Sequence, residues 1–438
     1  MYAAILGRKL SGMRAKIWRA TVMRSGMLTA LILIILLGGL IVGIRERGRG
    51  HLHRLETELQ SKTEAPPPAI PPPGGQEPIV MKRSLAAGAT TPEFLSATLL
   101  PGRGMNIFQI VAMIPSKGEV SLLASPSLDQ ASQQLGGAGP DAQGAVSLAM
   151  GGAFETPWAG NLGGVPTPDD LGIMSVWQGQ TLILPASPRD ADTARMASGG
   201  LLLRQQAAKV ETTVIPDGWQ TRSVYNAGSF DGHWLSQTEV TTQILLNGRV
   251  MEIGMTAKNV GPVPEPLGIG WRPHFAIPST DGESTLLRLP DAMRLESKLA
   301  GVGVGLPTGK FLPVVGTEYD FTKPGGTKLG SKGLDASLVR LKQAMLDPGP
   351  AVELRYGSSK FGLRLTALTS TIKEIHVASA GGSSSIIIDP QFNYDDPLGR
   401  QWPKDEDTGM VILQPGQSTQ WKVRLELFPL TSQTGPHF

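Results

Sequence analysis

Turn formers dominate this chain: 54 glycines and 35 prolines stand among its 438 residues, about a fifth of the whole against roughly 12% in average proteins. A helical bundle cannot absorb so many breaks, because each glycine or proline in a helix interior costs ~1–3 kcal/mol relative to alanine. The apolar runs between the turns are short: Val120–Ala124, Thr181–Leu184, Leu363–Leu368 and Ser385–Ile388 read as strands. Thr238–Leu246 and Val250–Ala257 alternate polar with apolar residues, and Asn247-Gly248 between them predicts a hairpin closed by a type I′ turn. Only Ala336–Leu346 has a helical period, with Leu338, Leu341 and Met345 on one face. The expected class is all-β, and the length favours a sandwich over a small barrel.

Charge is unevenly placed. Residues 1–62 carry 11 Lys/Arg against 3 Asp/Glu, so the overall net charge of +3 conceals a mildly acidic remainder. No nucleic-acid partner is expected of such a body. Cysteine is absent, which excludes disulfides, thiolate metal sites and cysteine nucleophiles. The glycine clusters lack the Lys-Ser/Thr of a phosphate-binding loop, and the acidic stretches lack the spacing of a calcium loop. Neither cofactor nor metal is expected.

Met27–Ile44 is an 18-residue run without charge, about 27 Å long as a helix and just able to cross a thin bilayer. Six basic residues precede it and four follow, which favours the N-terminus inside. Residues 1–26 then form a basic cytoplasmic tail and 27–44 a single inner-membrane anchor, leaving the C-terminal body extracytoplasmic, in the periplasm. A cleaved signal peptide is the rival reading, but its apolar core would be shorter. Residues 45–89 read as a juxtamembrane and Pro-rich linker, TEAPPPAIPPPGGQEPIV at 63–80 being a semi-rigid spacer of ~30–50 Å. Residues 90–428 are the folded body, and 429–438 a short tail.

PLGIGWRPHFAIP at 266–278 is followed in order by LPTGKFLPVVGTEYDF at 306–321, LDASLVRL at 334–341, SIIIDPQFNYDDP at 385–397 and ILQPGQSTQWKVRLEL at 412–427. Together these stretches resemble the aldose 1-epimerase (galactose mutarotase) family, over about residues 90–428. The resemblance implies a β-supersandwich with a sugar cleft on one face. It also implies isomerase chemistry: an acid protonates the ring oxygen while a carboxylate takes the proton of the anomeric hydroxyl.

Carried over residue by residue, the base position falls on Asp389, one methylene shorter than the usual glutamate. The acid position holds Arg272, which cannot deliver a proton at neutral pH and would instead clamp a hydroxyl or a carboxylate. His274 shares a strand face with it and is the candidate acid. Asp335 matches a sugar-binding aspartate. Asn161 stands where the resemblance puts a cleft arginine, and Gly199–Gly200 where it puts a second histidine. Trp158, Trp271 and Trp402 are candidates to stack on a sugar. Each residue also has a plainer reading: His274 as a hydrogen-bonded strand histidine, Asp389 as a turn former before Pro390, Asp335 as the N-cap of a helix at 336–346, the tryptophans as core. Asp395–Asp396 and Asp405–Asp407 read as solvated loop charges, and His233 has no identifiable partner. The expectation is a membrane-anchored carbohydrate-binding domain of the epimerase type, with anomer interconversion left open. The alternative is a catalytically degenerate envelope scaffold that meets a glycan or a protein partner.

Overall fold

Alternating strands stack into two antiparallel sheets in a computed structural model that describes residues 71–84, 90–187, 195–299, 305–330 and 333–430. The uncharged run at 27–44 lies outside the described residues, and among the described residues no helix is long and apolar enough to cross a membrane. The first sheet has eleven strands. Its middle runs Gly152–Glu155, Gly270–Ala276, Ser385–Gln391, Glu374–Ser379 and Leu334–Val339, each hydrogen-bonded to the next. The second has nine strands and is centred on Thr238–Leu246, Val250–Asn259, Ser418–Pro429 and Phe361–Ala367. The first sheet begins at Ile79–Lys82, which pairs with Glu93–Leu100, so the stretch read as linker supplies an edge strand.

The core lies between the sheets because every second residue of each strand is apolar and points inward. Trp271 and Phe275 are wholly buried on the inner face of their strand, as are Ile386 and Ile388, Ile375 and Val377, and Ala336 and Leu338 on theirs. From the second sheet Trp421 meets Phe154 edge-on, with ring centroids 6.1 Å apart. Its indole N–H donates to the Pro390 carbonyl at 3.0 Å. Close packing also explains Gly152: a Cβ there would lie 2.5 Å from the indole nitrogen of Trp271, which donates to the Gly152 carbonyl at 3.0 Å.

Two local expectations are corrected. Residues 336–346 are not a helix. Leu334–Val339 is a strand between the Met293–Ser297 and Glu374–Ser379 strands, and Arg340, with φ of 53°, ends it. Ladder pairing on both sides overrides a weak helical period, and Met345 and Leu346 are left exposed. The hairpin at 238–259 forms in full register. Its turn is not type I′, however, because neither Asn247 nor Gly248 has a positive φ. The Asn247 side chain accepts from the Val250 N–H at 3.1 Å, and the Gly248 carbonyl is taken by the Phe94 N–H. Contacts from the neighbouring sheet select the loop shape.

Candidate functional site

The face of the first sheet turned away from the core carries the polar residues that alternate with the buried ones. Strand register lines them up in three rungs. In the first, His274 stands opposite Ile387, Ile387 opposite Ala378, and Ala378 opposite Asp335. In the second, Asp389 faces His376 and His376 faces Ser337, while Arg272 faces Ala153 on the other side. In the third, Glu155 pairs with Gly270, Gly270 with Gln391, and Gln391 with Glu374. A cavity of about 500 Å³ opens over the first rung, lined among others by His274, Tyr319, Asp335, Ser385 and Ile387.

Asp389 is wholly buried. Its Oδ2 lies 3.4 Å from Nη1 of Arg272, whereas its Oδ1 has no hydrogen-bond partner among the described residues. Burial pushes its pKa up, against the pull of Arg272 and His376. Burial would lower the Arg272 pKa, but Glu155, Asp389 and Asp395 outweigh it and hold the guanidinium charged. The His274 ring is tied down, with Nε2 2.8 Å from the Leu148 carbonyl. Burial keeps its pKa low. Asp335 lies on the strand at 334–339 and caps no helix; its side chain is 84% exposed. Its Oδ1 is 2.9 Å from Nε2 of His376, and that bond holds its pKa down.

Asn161 is held by Asp395 and Ser198 and lies outside the cavity lining. Its backbone N–H donates to Oδ1 of Asp395 at 2.8 Å, and its Oδ1 accepts from Ser198 at 2.7 Å. Trp158 is buried against Trp234, ring centroids 5.5 Å apart, so no ring face is left for a sugar. Trp271 is core, and Trp402 packs on Phe311 and Tyr394. Asp395 and Asp396 are not solvated charges. Both are buried, and they anchor the Asn161–Gly163 strand through its backbone N–H groups. His233 does have a partner, the Ile183 carbonyl at 2.8 Å.

Three residues escaped the sequence reading, Glu155, Glu374 and His376, and they adjoin the misread Asp395. The first two are wholly buried. Desolvation raises the pKa of Glu155 well above the carboxylate range, with Asp389 adding repulsion, and that of Glu374 likewise, with Asp395 adding to it. Asp395 is raised by burial too. The signal that could have found two of them is EIHVAS at 374–379, where Glu374 and His376 alternate with the core residues Ile375 and Val377. Among the described residues, no three His, Asp or Glu side chains come together so as to hold a metal ion.

The sign of the resulting pH dependence follows from linkage. A carboxyl whose pKa is raised by folding binds more protons folded than unfolded, so stability is greatest in acid and falls as pH rises from the ordinary carboxylate range through the raised values. Every tenfold weakening of a carboxyl's acidity on folding removes ~1.4 kcal/mol at the alkaline end. Denaturant midpoints measured from about pH 5 to about pH 8 should therefore decline, and Glu374→Gln should flatten that decline. A Glu374→Gln protein with an unchanged slope would remove Glu374 from the cause.

A two-sheet β-sandwich with a polar cleft over one sheet is the architecture of a mutarotase-type protein. The family model for aldose 1-epimerase matches residues 203–426, and the chain belongs to that family. No curated protein matches it. Among solved structures, a galactose mutarotase-like protein from Clostridium acetobutylicum superposes with a TM-score of 0.62 at 13% identity, over 80% of this chain and 98% of that one. The GalM/aldose epimerase homologue from C. elegans gives 0.59 at 13% over 80% and 99%. Galactose 1-epimerase from Lactobacillus acidophilus gives 0.54 at 12% over 81% and 99%. At such identities the likeness speaks for the fold alone.

Proposed function

We propose that the cleft binds an aldose and interconverts its α and β anomers, with Asp389 as the base. The observation that carries this reading is the state of the Asp389 carboxyl: one oxygen is braced by Arg272 and the other, buried, has no hydrogen-bond partner among the described residues. Its raised pKa brings it toward the working pH, where general bases are most effective. The Asp389 carboxyl lies one rung from the cavity over His274, Ile387 and Asp335, so the sugar has to extend toward Arg272 to meet it. We further propose that residues 27–44 anchor the chain in a membrane with the cleft outside the cytoplasm, a reading supported by the charge bias around that run.

The test is exchange NMR or polarimetry on fresh α-glucose and α-galactose with the full-length chain in detergent. Acceleration of anomer exchange above the spontaneous rate is expected. Sugar-dependent thermal stabilisation without acceleration would replace catalysis by binding alone, and the absence of both would favour an envelope scaffold.

A further inference from the structure

We propose that His376 is the general acid of this cleft, a role that rests on the epimerase reading above. Arg272 keeps its proton at any physiological pH. His274 stands on the first rung, opposite Ile387 and one rung from the base, and its Nε2 is held against the Leu148 carbonyl on the cleft wall at 2.8 Å. His376 is the imidazole set directly beside the base: its strand position faces Asp389 on one side and Ser337 on the other. Its side chain is 16% exposed, and the cleft-facing Asp335 holds its Nε2 at 2.9 Å. A carboxylate bonded to one ring nitrogen fixes the tautomer and the ring orientation, the arrangement that positions a catalytic histidine. The charges acting around it are Asp335 on one neighbouring strand, Asp389 on the other, Asp395 beyond that strand, Glu374 two residues away on its own strand, and Arg272 across the second rung.

The step balances within these residues. The His376 imidazolium gives a proton to the ring oxygen, and Asp389 takes the proton of the anomeric hydroxyl. The bond from the anomeric carbon to the ring oxygen breaks, and the anomeric carbon becomes a free aldehyde carbonyl. After rotation about the adjacent carbon–carbon bond the ring closes on the other face, and the two protons return to His376 and the new hydroxyl. No further reactant is needed.

The experiment compares the full-length chain with His376→Asn, His376→Gln, His274→Gln and Asp335→Asn by exchange NMR on α-glucose and α-galactose, with thermal melts as a check on folding. Loss of about 10²-fold or more is expected for both His376 variants, with a smaller loss for His274→Gln. Asp335→Asn should also lower the exchange rate while leaving the melt unchanged, because the imidazole loses the carboxylate that orients it, a split that a merely structural role would not produce. An active wild type with equally active, folded His376 variants would overturn the assignment alone, as would loss confined to His274→Gln. A wild type without acceleration would overturn the epimerase reading and this assignment with it.

Discussion

Asp389→Asn should reduce anomer exchange by about 10²–10⁴-fold, the range that one positioned general base contributes, while the protein stays folded. Asparagine matches aspartate in shape, so the packing around it is preserved, but it cannot accept a proton at any relevant pH. Asparagine keeps an oxygen that can still accept from Arg272, and the Glu155 and Asp395 carboxyls remain close to the guanidinium. Removing a buried carboxyl whose pKa is raised also removes part of the alkaline penalty, so the variant should melt no lower than wild type near neutral pH, and higher above it. Exchange NMR and a thermal melt on the same sample separate the two effects. Undiminished exchange in a folded Asp389→Asn protein would mean that the base lies elsewhere, among the neighbouring carboxyls Glu155 and Asp395.

What was legible in the sequence was periodic. Strands such as 238–246 and 250–259 alternate so strictly that a slip of one residue would turn every apolar side chain outward, and the structure keeps that register throughout. The family motifs likewise put Arg272 and His274 on one strand face, and it is the strand pairing that brings Asp335 and Asp389 to the same sheet. What was not legible depends on which strands become neighbours. Glu155 and Glu374 are 219 positions apart in the chain, yet the pairing of Gly270 with both Glu155 and Gln391 puts them on one rung. No local pattern encodes that. Asp395 and Asp396 failed for a related reason: an acidic pair after a strand is usually solvated, and only the strand at 161–163 docking on them supplies the donors that let them be buried. The helix expected at 336–346 shows the converse, since a local period was present and the ladders on either side outweighed it.

Asp141→Ala should destabilise the body by ~3–5 kcal/mol, the cost of stripping one partner from a buried ion pair, against a total of about 5–15 kcal/mol for a typical domain. Arg103 and Asp141 are both buried, with Nη2 2.6 Å from Oδ1. The carboxylate also accepts from the backbone N–H groups of Gly137 and Val146, and Nε of Arg103 donates to Ser147 at 3.1 Å. These bonds hold the 3-10 turn at Ala145–Ala149, whose Leu148 carbonyl fixes His274 at the cleft wall. Asn106 pins the same turn through the Ser147 and Met150 carbonyls. Loss of the aspartate leaves a buried guanidinium without a counter-charge and frees the turn, so the effect should appear both in the denaturant midpoint and as weaker sugar-dependent stabilisation. Replacing both partners with apolar residues, Arg103→Met with Asp141→Leu, should recover much of the stability, because no buried charge is then left unpaired. A midpoint for Asp141→Ala within about 1 kcal/mol of wild type would show that water reaches Arg103 and that the wall of the cleft is held by Asn106 alone.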